Sequence, residues 1–101
     1  MLALSRKYGQ SIYIGNHIRI SLGGFNRESA RVGLAINEKL EIKEVPYELY
    51  QKLGDDITFF IRHKGGQVCF YFNAPRDVII LRSELESRNK QVKSNKELTA
   101  A

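Results

Sequence analysis

The sequence predicts a mainly all-β fold, an antiparallel or mixed β-sandwich or barrel of about eight short strands. Three observations predict it. Apolar and polar residues alternate in short runs, most clearly in "HIRISL", where Ile18, Ile20 and Leu22 are interleaved with His17, Arg19 and Ser21. Turn residues, mostly glycine, punctuate these runs at short intervals. The order of elements then repeats, 38 residues further along the chain.

"MLALS" and "SIYIG" read as the two strands of a hairpin, with Arg6 to Gln10 between them. Gly15-Asn16 turns the chain into "HIRISL", and "GGFNRES" turns it again into "ARVGLAI". "LEIKEV" alternates through Leu40 and Ile42, the mark of a strand with one buried face. Pro46 suits the first turn of a helix and Gly54 its C-cap, so "YELYQKL" between them predicts a short amphipathic linker helix with Leu49, Tyr50 and Leu53 on one side. "ITFFI", "QVCFYF" and "VIIL" are three further strands, separated by "RHKGG" and "NAPRD". Ser83 and Glu86 fit a capping box, but the next large apolar residue after Leu85 is Val92. A frayed C-terminal helix passing into a disordered tail is expected.

Residues 18–49 and 57–85 share one order of elements, and run without a gap from Arg31/Cys69 to Glu44/Arg82. The apolar pattern persists through Val32/Phe70, Leu34/Phe72, Leu40/Val78 and Ile42/Ile80. The second unit has no counterpart of the opening hairpin. The predicted organisation is a first copy over 1–53, a truncated second copy over 54–88 intertwined with it, and a flexible tail over 89–101.

At 101 residues and 43% apolar content the chain suits one domain with a modest core and is too hydrophobic for a disordered protein. Its net charge is +5, and residues 83–101, with four basic and three acidic side chains, supply +1 of it. A basic body suits a polyanion, RNA or DNA first, although charge of this size also serves plain solubility. Cys69 is the single cysteine, so no intrachain disulfide is possible, and between Val68 and Phe70 it reads as buried packing. His17, His63 and Cys69 fall at no metal-ligand spacing, so no metal or cofactor is expected. No nucleophile, base and orienting residue stand together at a motif spacing, which argues against an enzyme. The N-terminus does not read as a signal peptide and no apolar run approaches the ~20 residues of a membrane span, so a soluble, cytoplasmic protein is expected.

"MLALSRKYGQSIYIG", followed by "HIRISL" and "ARVGL", resembles the start of the CsrA/RsmA carbon storage regulators, small bacterial RNA-binding proteins. "GGQVCFYFNAPRDVIILRSEL" resembles the other end of that family, its Gly-Asn-Gln-Val segment running through Asn-Ala-Pro to a strand that ends in arginine. The chain departs from the family at Gln10, where a glutamate is usual, at Asn37 for proline, at Glu44 for the arginine, and at Cys69 and Tyr71 for arginine and glycine. The resemblance implies an interlocked dimer of five-stranded chains. Each RNA site lies where one protomer's first strand runs beside the other's last, and the RNA carries a GGA element, usually in a hairpin loop over a ribosome-binding site.

Carried onto this chain, the first copy keeps the first-strand half of a site, Leu4, Ser5, Arg6 and Lys7. The second keeps the last-strand half: Asn73, Ala74, Pro75, Arg76, Asp77, Val78, Ile80, Leu81 and Arg82. Gln67 and Arg76 are expected at its rim. Aliphatic Leu4, Val78 and Ile80 would floor the bases, and Arg82 would fork onto phosphate or guanine. Glu44 would repel phosphate, which leaves one composite RNA-binding site per chain. The expected form is a monomeric pseudo-dimer binding mRNA leaders or small RNA, in preference to a strand-exchanged homodimer. The competing reading is an interaction protein that modulates a family member or another protein without touching RNA. Tyr8, Tyr13, Phe59 and Phe60 are expected in the core, and Lys39, Lys43, Arg62 and Lys64 as solvated charge.

Overall fold

A computed structural model describes residues 1–82 and the short strand Thr99–Ala100. Every predicted strand is present: β1 (Leu2–Arg6), β2 (Ser11–Ile14), β3 (Ile18–Phe25), β4 (Ser29–Ile36), β5 (Lys39–Pro46), β7 (Thr58–Lys64), β8 (Gln67–Asn73) and β9 (Ile79–Arg82). Two short strands add to them, β6 (Gln51–Lys52) and β10 (Thr99–Ala100). They form two antiparallel sheets, one in the order β1-β8-β7-β6 and one in the order β10-β9-β2-β3-β4-β5. The helix expected from Ser83 lies outside the described residues.

Alternation decides which side chains meet between the sheets. On β2 and β3, Ile12, Ile14, Ile20 and Leu22 are buried, while their neighbours face outward. Opposite them, Phe59, Phe70 and Phe72 are fully buried, with ring centroids 5.8–6.2 Å apart. Each such phenylalanine contributes about 1.5–3 kcal/mol by leaving water. Cys69 is buried, as its neighbours implied. Gly23 sits at the register shift between Leu22 and Phe25, where a Cβ would stand 3.1 Å from the Arg31 carbonyl oxygen. Glycine lets the two backbones approach at this bulge.

The sheets are cross-linked by sequence-distant pairs. β1 leaves β2 and pairs with β8, from Leu2↔Phe72 to Arg6↔Val68. β9 leaves β8 and pairs with β2, from Ile12↔Arg82 to Ile14↔Ile80. Each end of the chain therefore completes a sheet built largely by the other half.

Two expectations are corrected here. The linker helix does not form, and no helix occurs among the described residues. Pro46 is the last residue of β5, opposite Ser29, instead of a first helical residue. Glu48 then takes φ 65°, which ends any helical path, and its N–H donates to Ile61 O at 2.9 Å. Leu53 reaches the core while Leu49 and Tyr50 stay exposed, so the three do not share one buried side. The second correction concerns "LEIKEV". Asn37 and Glu38 take φ 50° and 71°, a two-residue turn that folds β5 straight back onto β4. In that register Val45 is the buried residue, and Leu40 and Ile42 are 66% and 64% exposed on the outer face.

Candidate nucleic-acid interface

β1 is the terminal strand of its sheet, and β9 lies next to the terminal β10 in the other. The turn after Arg6 carries the chain from the first sheet to the second, pinned by Gly9 N–H to Leu22 O at 2.8 Å and Leu22 N–H to Gln10 O at 3.0 Å. Lys7 N–H also donates to the Gln10 side-chain oxygen at 2.8 Å. The two halves of the expected site are thus linked through β2, which follows β1 in the chain and pairs with β9 along one seam. Its centre can be named: Arg6 Nη1 donates to Ser11 O at 3.2 Å, and the next residue, Ile12, stands opposite Arg82.

The arginines differ in environment. Leu2, Leu4 and Arg6 share the inner face of β1, and Arg6 is 4% exposed, with Nε also donating to Ser5 O at 2.8 Å. Its guanidinium is tied to backbone carbonyls and does not stand free at the surface. Arg82, at the end of β9, is half-buried. Ile80 and Leu81 are buried, so their side chains support the strand and do not floor a ligand. The backbone of β9 at Ile79 and Ile80 is also taken up by β10. What faces outward is narrower than the sequence suggested. Ser5, Lys7, Asn73, Arg76 and Asp77 are exposed and Gln67, Pro75 and Arg82 are half-buried, while Leu4, Ala74 and Val78 are half-buried against the core.

The Glu44 position is occupied differently. Ser29 Oγ donates to Glu44 Oε2 at 2.7 Å, and Arg31 lies 3.8 Å from its other oxygen, across the β4–β5 hairpin. Burial and the Glu44 charge together hold the nearby Tyr47 hydroxyl above its ordinary pKa, and that hydroxyl donates to Asn26 O at 2.6 Å.

A cluster that the sequence reading missed lies on the outer face of the four-stranded sheet. Phe60 stacks on Tyr71 at 4.7 Å, and Tyr50 meets Phe60 edge-on at 5.0 Å. Arg62 lies over both stacked rings and donates twice to Glu48, at 2.7 and 3.0 Å. Those hydrogen bonds hold the Glu48 carboxyl below its ordinary value and raise the guanidinium's. Phe60 and Arg62 are therefore parts of a surface clasp, neither core nor solvated charge. Phe59 is core as expected, but Tyr8 is exposed. Among the described residues no His, Cys, Asp or Glu cluster could hold a metal, and no helix is long and apolar enough to cross a membrane.

Residues 1–55, which span β1 through β6, match the family model described as CsrA, a global regulator protein family. The chain belongs to the CsrA global regulator family. A relative within reach of the CsrA sequences is the translational regulator CsrA of Thermosipho africanus (strain TCF52B), 34% identical over 68 residues that cover 65% of this chain and 93% of the relative. No solved structure matches the chain. The family-model match ends at residue 55, before the strands β7, β8 and β9.

Proposed function

We propose that this CsrA-family chain is an RNA-binding post-transcriptional regulator that reads a GGA-containing hairpin loop in an mRNA leader or small RNA. The observation that supports the reading is the link between the two halves: Arg6 is anchored on Ser11, beside the Ile12↔Arg82 pair, so β1 is tied to β9 through β2. The edge of β1 that pairs with no strand among the described residues offers backbone N–H and C=O groups to the edges of unstacked bases. Leu4 and Val78 supply apolar surface, and Lys7, Arg76 and Arg82 supply cations for phosphate or guanine. Arg6 positions the turn from below and makes no direct contact.

Residues 1–53 and 54–88 read as two copies of a family-like unit, whose described parts interlock within one chain as two protomers would. Support comes from the crossed pairs β1·β8 and β2·β9. A single chain then completes one RNA site without exchanging strands with a second. The test is a mobility-shift titration of the full chain against a GGA hairpin and its scrambled version. Preference for the GGA hairpin, lost in Arg82→Ala, supports the reading. Equal affinity for both RNAs overturns it and favours a protein partner.

A further inference from the structure

β5 ends the six-stranded sheet, and among the described residues no strand pairs with its outer edge. It is eight residues long, and every residue except Val45 is exposed. Its pairing with β4 runs without a shift from Ser29↔Pro46 to Ile36↔Lys39, so no bulge twists this edge away. Its one proline is its last residue. Such an edge carries a row of unused N–H and C=O groups and is a template for another strand.

The side chains say which strand fits. Residues directly opposite one another in an antiparallel pair share a face, so a two-fold pairing of β5 with itself must be centred on a residue. Centred on Ile42, it sets Ile42 against Ile42 on the outer face and Glu41 against Lys43 twice on the other. Moving the centre to Glu41 opposes Glu41 to Glu41 and Lys39 to Lys43, and moving it to Lys43 opposes Lys43 to itself. A centre at Leu40 avoids like charges but engages only Lys39–Glu41. Edge lysines ordinarily discourage pairing. In the Ile42 register, each Lys43 meets a carboxylate instead, each Leu40 stands opposite Glu44, and the two exposed Ile42 side chains meet each other.

The geometry points to a symmetric dimer of two copies of this chain joined edge to edge, β5 to β5 about Ile42, which makes one continuous sheet of two six-stranded sheets. The association exchanges no strand and leaves the interlock and the seam within each chain. The monomer is the folding and RNA-binding unit, and the dimer is its concentration-dependent pair.

Sedimentation of the full chain from micromolar to millimolar concentration tests this. The mass should rise from 11.6 kDa toward twice that value. Glu41→Lys and Lys43→Glu each place like charges opposite and should weaken association by about tenfold. The double variant E41K/K43E restores both pairs and should associate like the parent, and an equal mixture of the two single variants should associate more tightly than either alone. These positions are exposed, and circular dichroism checks that each variant is folded. A single-chain mass across the whole range overturns the proposal. So do single variants that associate as the parent does, or a double variant and a mixture that fail to recover.

Discussion

Arg6 and Arg82 carry the same charge and border the same seam, but burial gives them different work. Arg6 Nη1 and Nε satisfy the Ser11 and Ser5 carbonyls from beneath the turn. Arg6→Ala removes these two hydrogen bonds from a buried site and should cost about 1–3 kcal/mol of stability, seen as a lower urea midpoint. Arg82→Ala should leave the urea midpoint nearly unchanged and weaken GGA-hairpin binding by about 1.5–3 kcal/mol. A reversed pattern, with Arg6 acting on binding and Arg82 on stability, would contradict this division. The Glu48–Arg62 clasp makes a separate prediction in pH. Because the hydrogen bonds from Arg62 lower the Glu48 carboxyl from its ordinary 4.5, the clasp's contribution is fully present above about that value. It is lost as pH falls through the lowered folded value. In Arg62→Gln the Glu48 midpoint, followed by carboxyl NMR, should rise. The stability gap between parent and variant should close in acid. A gap that persists at low pH would show that the ring contacts of Arg62, and not the ion pair, stabilise the fold.

Among the elements, β5 is the informative one. The Asn37-Glu38 turn holds two non-glycine residues at positive φ to fold β5 back onto β4. Glu38→Gly should relieve part of that strain and stabilise the fold by a few tenths to about 1 kcal/mol in denaturant unfolding. A loss of stability would mean that the Glu38 side chain contributes more than its backbone costs. The same turn explains what the sequence left hidden. Alternation and short apolar runs marked every strand but the two-residue β6 and β10, because such patterning is a local property of the chain. It did not say which neighbour "LEIKEV" would take, and its alternation through Leu40 and Ile42 suggested a buried face there. Two residues of turn conformation decided otherwise. Pro46 misled for a related reason: the same residue serves at a helix start and at a strand end, and the pairing with Ser29 selects between them. The sequence could propose the site's residue types and positions. Burial was not, although Arg6 falls in step with Leu2 and Leu4, and that spacing could have placed it on the inner face.

At the scale of the molecule, exposure sets the electrostatics. With Arg6 buried, Lys7, Arg76 and Arg82 are the cations left at the seam. Three neutralised phosphates predict that log affinity falls with log salt at a slope of about −2. A flat response would contradict a cationic seam, and a much steeper one would mean that RNA contacts extend beyond it. Stoichiometry follows from the strand count, since β1 and β9 each occur once. One RNA per chain is expected in a titration at concentrations well above the dissociation constant. Two per chain would show that the β4–β5 side binds despite Glu44.

The crossed pairing also shapes how the chain comes to be folded. Leu2 waits for Phe72 and Ile12 for Arg82, partners 70 residues further along in each case. During synthesis the meander from β2 to β5 can form early, since its pairs are local, and so can the β7–β8 hairpin. β1 and β9 can join only once nearly all the described chain has been made, and contacts this distant close slowly. Until then the nascent protein carries an apolar N-terminal strand with nothing beside it, and the seam is assembled last.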